Sequence, residues 1–183
     1  MAAANWFRYT YLAHFSRPQG NRQLYRLVKR QQVCRIVEIG IGDLSRAVSL
    51  IQVAQRYAGD KKVWYTGLDM FDARPAGQAP LALKEAYRVL RATEANIRLA
   101  PGMANMSLAS AANAHQNTDL ILMGPEVSEN DLNGAWFYVP RMLHGNSVIL
   151  SERHDVTGQV SFQNITRTQI AEWASRDSMR RAA

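Results

Sequence analysis

Gly40 and Gly42 stand two positions apart, directly after the run CRIVEI (34–39) and directly before an amphipathic stretch that begins at Leu44. Glycine tolerates a positive φ and has no Cβ, so at a strand-to-helix junction it lets the backbone turn sharply and approach a ligand closely. The helix behind such a turn offers unpaired N–H groups. Together these features describe the floor of a site for a nucleotide-like ligand. A carboxylate completes it: Asp69 ends the next β-branched run, VWYTGLD (63–69), where it can accept hydrogen bonds from both hydroxyls of a ribose. Glu38 stands next to the end of the first run, two residues before Gly40. Each acid also has a plainer reading, Glu38 as an anchor for loop amides and Asp69 as a cap for the following turn.

These residues need a frame, and the sequence supplies one. Leu24, Leu27 and Val28 predict a short helix around 21–31. The spacing of Leu44, Ala47, Val48, Ile51 and Ala54 predicts a helix that stops near Gly59. Strands are expected at 33–39, 63–69, 97–100, 119–123 and 147–151, with a further one at 159–163. Helices are expected from Leu83 to Leu90, over 107–116, from Ser128 through Val139 with Pro140 kinking or splitting it, and over 166–181. Four βα units and a fifth strand imply an α/β fold, a doubly wound, mostly parallel sheet of five or six strands with helices on both faces. In such a sheet ligands bind beyond the carboxyl ends of the strands, where the winding reverses, and Gly40 and Gly42 fall there.

The 183 residues fit one domain with a sizeable core, and 47% hydrophobic with 20% charged residues is an ordinary globular composition. No apolar run approaches the roughly 20 residues that span a bilayer, and the first 20 residues lack a secretory apolar region. A single cysteine, Cys34, excludes an internal disulfide and makes a reducing cytoplasm the expected compartment. The net charge of +7 is concentrated in residues 1–31, which hold six Lys/Arg and no acid, together with Trp6, Phe7, Tyr9, Tyr11 and Phe15. That arm reads as a packed helix with a solvated basic face, as a lid over an acidic ligand, or as a grip on nucleic acid.

At this point the chain resembles a known family. VEIGIGDLS (37–45) is similar to the first motif of class I S-adenosylmethionine-dependent methyltransferases, with Glu38 matching its acid and Gly40 and Gly42 its glycines. YTGLDMFDARP (65–75) is similar to the second motif, and its Gly-Leu-Asp-Met-Phe-Asp run resembles small-molecule O-methyltransferases of the macrocin type. NIRLAPGMANMSL (96–108) occupies the place of the third. The resemblance covers about residues 30–155 and implies S-adenosylmethionine as cofactor. It implies Asp69 on the ribose, Met70 beside the adenine, Glu38 near the methionine end, and Gly102, Met103 and Gly124 completing the cofactor-binding set. Leu44 and Met103 depart from the family pattern, which often has a small residue and an acid there.

The division expected is an arm or lid at 1–31, a Rossmann-like core at 32–155 and a strand–helix extension at 156–183, a truncated version of the family fold. The extension helix has an apolar side at Ile170, Ala171, Trp173 and Ala174, suited to cover its own sheet edge or a second subunit in a homodimer. Catalytic residues are not identified. His154, after the fifth strand, is the one histidine near the crevice and a candidate general base. Glu126, Glu152 and Asp155 are too sparse to argue for a metal, and Cys34 sits too far back for a nucleophile. The reading is methyl transfer to a small or medium-sized acceptor. Alternatives are a catalytically silent binding domain, an RNA methyltransferase using the basic arm, and an NAD-dependent enzyme. The last is disfavoured because Ser45 replaces the third glycine of the dinucleotide fingerprint and Asp69 follows Gly40 by 29 positions, against about 20.

Overall fold

The structure, a computed structural model, describes residues 9–182, with side chains through Arg180; Trp6, Phe7 and Arg8 of the arm lie outside the described residues. α1 covers residues 9–14. It is followed by α2 (Gly20–Gln31), β1 (Arg35–Ile39), α3 (Leu44–Tyr57), β2 (Trp64–Asp69), α4 (Leu83–Arg91), β3 (Asn96–Pro101) and α5 (Ala104–Ala111). Then come β4 (Thr118–Met123), α6 (Val139–Met142), β5 (Leu143–His154), β6 (Val160–Asn164) and α7 (Arg167–Ala182). The six strands form one sheet in the order β3-β2-β1-β4-β5-β6. β1 to β5 run parallel and β6 returns antiparallel on β5.

This is the doubly wound sheet that the alternating pattern predicts, with helices on both faces. From β1 the chain moves outward to β2 and β3, then crosses to β4 on the other side, so the winding reverses at β1. β1 and β4 read as near-continuous apolar runs because both their faces are covered. On one face Ile36 and Tyr65 pack with α2 and α3 through Leu24, Val28, Leu50 and Ile51. On the other, Val37, Ile39, Leu68 and Ile121 pack with α5, α6 and α7 through Leu108, Met142 and Ile170.

Local signals explain most boundaries. Asp43 caps α3 by accepting from the Ser45 N–H at 2.8 Å. Three elements differ from expectation. The single helix expected from Ser128 to Val139 is instead two 3₁₀ turns, Asn130–Leu132 and Trp136–Tyr138, running into α6. Gly134, at φ +84, interrupts it, and Pro140 stands in the first turn of α6, starting the helix rather than kinking it. Leu132, Ala135, Trp136 and Val139 still reach the core. α5 begins three residues early and ends at Ala111, so 115–116 are not helical. β5 spans twelve residues instead of five, because it is paired by β4 on one side and β6 on the other.

α2 of the arm and α7 of the tail are part of this core. Leu24, Tyr25 and Val28 of α2 are buried, and Trp173 of α7 packs on Trp136 with ring centroids 4.5 Å apart. The apolar side of α7 therefore covers this chain's own sheet. No helix among the described residues is long and apolar enough to cross a membrane.

Burial pushes the Tyr25 hydroxyl up to about 12. Its folded pKa lies above its unfolded value near 10, so its contribution is whole below pH 10 and is lost as pH rises toward 12. By pH 12 the loss amounts to about 2 kcal/mol. Alkaline unfolding followed by circular dichroism is expected to begin above pH 10, and Tyr25→Phe is expected to move its onset to higher pH.

Candidate functional site

A cavity of about 660 Å³ opens at the carboxyl ends of β1, β2 and β4, at the winding reversal. Its floor is the β1–α3 turn, Gly40 to Gly42. One wall is Asp69, Met70 and the turn containing Gly77 to Ala79; the opposite wall runs from Pro125 to Val127; Gly102 and Met103 close the β3 side. Cavities of 300–1,000 Å³ are the usual size of small-molecule sites. Of the site residues expected from the sequence, Gly40, Gly42, Asp69, Met70, Gly102 and Met103 line this space, whereas Glu38 and Gly124 do not.

The two glycines of the turn are not equivalent. Gly40 has φ +73, and a Cβ on it would come within 2.5 Å of the Val127 side chain. Gly42 has room for a Cβ, which would meet nothing closer than Arg46 at 3.4 Å. The steric demand around this turn falls on Gly40 and on Gly124 behind it, whose Cβ would stand 2.1 Å from the Gly40 carbonyl oxygen. Gly124 thus buttresses the turn from β4 instead of facing the ligand space.

Asp69 is 7% exposed and fully engaged. Its Oδ1 accepts from the Phe71 N–H at 2.7 Å and from Arg74 Nε at 2.8 Å. Its Oδ2 accepts from the Ile41 N–H at 2.8 Å and from Arg74 Nη2 at 2.7 Å. A carboxylate has about four lone-pair sites, and all four are used. The two backbone bonds fasten β2 to the β1–α3 turn and hold Phe71, buried and at φ +49, in a left-handed conformation that costs roughly 1–2 kcal/mol. The other two come from one guanidinium, which also donates to the carbonyls of Ile41 and, at 2.7 Å, Ala79. Arg74 therefore pins the turn 75–80 against the cavity wall. Sequence reasoning passed over Arg74 as turn; its one signal is a cation five positions after the acid.

Glu38 points to the α3 face and is completely buried. It accepts from the Tyr65 hydroxyl at 2.7 Å and from Arg46 Nη2 at 2.8 Å. Glu38, expected near the methionine end, does not line the cavity: it stands within β1 beneath α3, held by Tyr65 and Arg46. Arg46 also pairs with the buried Glu152 of β5, and Glu152 Oε1 lies 2.8 Å from His154 Nε2. Burial by itself would lower the Arg46 guanidinium, but Glu38 and Glu152 outweigh it and drive it above its ordinary value. Burial, then the charge of Glu38, pushes the Tyr65 hydroxyl well above its ordinary value. This chain of charges ties β1, α3 and β5 together behind Gly42. It was missed because Arg46 reads as one more polar residue of an amphipathic helix.

His154 is half-exposed on the far side of this network and does not line the cavity. Glu126 does line it, while Asp155 caps its own turn through Thr157 and Gln159. Among the described residues no group of three or more His, Cys, Asp or Glu converges. Cys34 lies at the opposite end of the sheet, where burial raises its thiol pKa. None of residues 9–31 lines the cavity.

No family model matches the chain, and no curated protein does. Solved structures share its fold. The O-methyltransferase from Bacillus cereus in complex with SAH superposes with a TM-score of 0.53 at 18% identity over 82% of this chain and 63% of that one. TomG from Streptomyces achromogenes, an O-methyltransferase of tomaymycin synthesis in complex with SAM, gives 0.53 at 13% identity over 98% and 76%. Cofactor-bound Rv0187 from MTB gives 0.52 at 18% identity over 82% and 64%. The chain thus spans a little under two thirds of the length of the Bacillus cereus enzyme and of Rv0187.

Proposed function

We propose that this chain, which has the class I methyltransferase fold, binds S-adenosylmethionine beyond Gly40 and Asp69 and transfers its methyl group to a small or medium-sized acceptor. One observation carries the reading: a 660 Å³ cavity at the winding reversal, with a carboxylate in its wall and a glycine turn as its floor. The cofactor, when bound, brings the methyl group already activated on a sulfonium. The protein's part is then to bind, orient and exclude water.

Asp69 has the position for two ribose hydroxyls, and Arg74 now fills both places. Binding exchanges two guanidinium bonds for two hydroxyl bonds, while the bonds from Ile41 and Phe71 hold the carboxylate in place. The Gly40 turn lets the backbone approach the ligand, and the side chains of Met70 and Met103 supply apolar contact on the β2 and β3 sides.

A second reading, binding without turnover, is favoured by the lining itself. Among the described residues it contains no His, Cys, Lys or Tyr, and one of its three acids, Asp69, is engaged by Arg74. Calorimetry decides the common part: S-adenosylhomocysteine is expected to bind one to one, and absence of heat at about 1 mM ligand overturns both readings. Release of labelled methyl to an acceptor panel separates them, since turnover supports the first and binding alone the second.

A further inference from the structure

Away from the cofactor cavity, at the amino ends of the same strands, lies a concavity of about 310 Å³. Alternation along the strands explains how it forms. Leu68, Ala100 and Val37 lie beneath α5 and the turn after it. Two to four residues earlier on the same face stand Trp64 and Thr66 of β2, Asn96 and Arg98 of β3, and Arg35 of β1. α5 is only eight residues long, so it stops short of covering them. His115, just beyond, and Arg91, at the end of α4, complete the rim.

The character of this trough is specific. It holds three arginines and a histidine, and among the described residues no carboxylate lines it. Arg46, Arg74, Arg153 and Arg176 each pair with a carboxylate, whereas among the described residues neither Arg91 nor Arg98 does. Trp64 is 49% exposed in a strand otherwise buried, and the Arg35 guanidinium stands 6.0 Å from its ring centroid. His115 Nε2 is buried with no hydrogen-bond partner, while Nδ1 faces the Thr66 hydroxyl at 3.5 Å. Gathered like charges repel one another, and an anion would relieve that repulsion. Guanidinium forks match phosphate oxygens, and an exposed indole among cations suits a stacked base.

We propose that this trough binds a nucleotide, its base against Trp64 and its phosphate among Arg91, Arg98 and His115. The site is independent of the methyl-transfer reading, since Trp64 and Asp69 stand five positions apart along β2, about 16 Å. The volume suits one nucleotide unit, either free or as part of a single RNA strand. The lowered pKa of His115, caused first by its burial and then by Arg98 and Arg35, agrees with a pocket already rich in positive charge.

The test uses the whole protein with S-adenosylhomocysteine present in excess, so that a nucleotide entering the cofactor cavity does not confuse the result. The probes are AMP, inorganic phosphate and a single-stranded hexaribonucleotide, read through the indole N–H resonance of Trp64, assigned with Trp64→Phe. AMP is expected to move that resonance with a Kd below about 1 mM. Arg91→Ser with Arg98→Ser, both at exposed unpaired positions, is expected to weaken binding at least about tenfold without lowering the melting temperature. A hexanucleotide that binds more tightly than AMP, with the steep salt dependence of counterion release, assigns the site to RNA; equal affinities assign it to the free nucleotide. The proposal is overturned if neither AMP nor the hexanucleotide moves the Trp64 resonance, if the double variant binds like wild type, or if inorganic phosphate matches AMP.

Discussion

Arg74→Ala is expected to tighten S-adenosylhomocysteine binding by about tenfold, while Asp69→Ala abolishes it. In the first variant the carboxylate keeps its bonds from Ile41 and Phe71 and presents two free lone-pair sites to the cavity. A ligand no longer has to displace a guanidinium, and its apparent affinity rises by the reciprocal of the fraction of protein that the arginine had left open. Some stability is lost, about 1–2 kcal/mol, because water from the cavity replaces one charged donor. Asp69→Ala acts differently. It leaves Arg74, whose side chain is 10% exposed, without its counter-charge, strands two backbone N–H groups, and removes what holds Phe71 left-handed. Losing one partner of a buried pair costs about 3–5 kcal/mol, or on the order of 10 °C in melting temperature for a domain this size. Titration calorimetry and thermal melts of the two variants check this. An Arg74→Ala protein that binds no more tightly than wild type would show that the guanidinium does not compete with the ligand.

The largest loss of stability is expected for Arg46→Met. Glu38 and Glu152 are 0% and 3% exposed, and their shared cation is the one group that balances both. The methionine fills much of the space but leaves two carboxylates facing each other in the interior, at a cost of about 3–5 kcal/mol or more. Because the guanidinium lies directly behind Gly42, the variant is also expected to bind S-adenosylhomocysteine more weakly at temperatures where it is folded. The triple variant Arg46→Met, Glu38→Leu, Glu152→Leu is expected to recover most of the stability, since a packed apolar trio replaces buried charges at little net cost. Denaturant melts decide the matter, and a single variant within about 1 kcal/mol of wild type would mean that the network is better hydrated than its burial indicates.

The order of elements and the position of the crevice were legible in the sequence, because both arise from local rules. β-branched runs make strands, 3.6-residue spacing makes helices, and a glycine after a strand permits the turn that Gly40 adopts at φ +73. Such rules also placed Asp69 at the end of β2, next to that turn. They failed between Ser128 and Val139, where the apolar positions were right but Gly134 and Pro140 divided the segment into short turns.

What each charge does was decided only in three dimensions. Glu38 and Asp69 are both acids near strand ends and on one face of the sheet, yet Glu38, opposite Gly67, lies under α3 while Asp69, two positions further along β2, reaches the cavity at the sheet's carboxyl end. Glu152 meets Arg46 across 106 residues, and no periodicity reports which cation will neutralise which buried acid. The guanidinium of Arg74 reaches Asp69 because the turn after β2 folds back until Ala79 accepts one of its protons. The chain's pattern set where a ligand has room. Folding chose the charges around it, because a buried carboxylate takes whatever donors the packing brings within 3 Å.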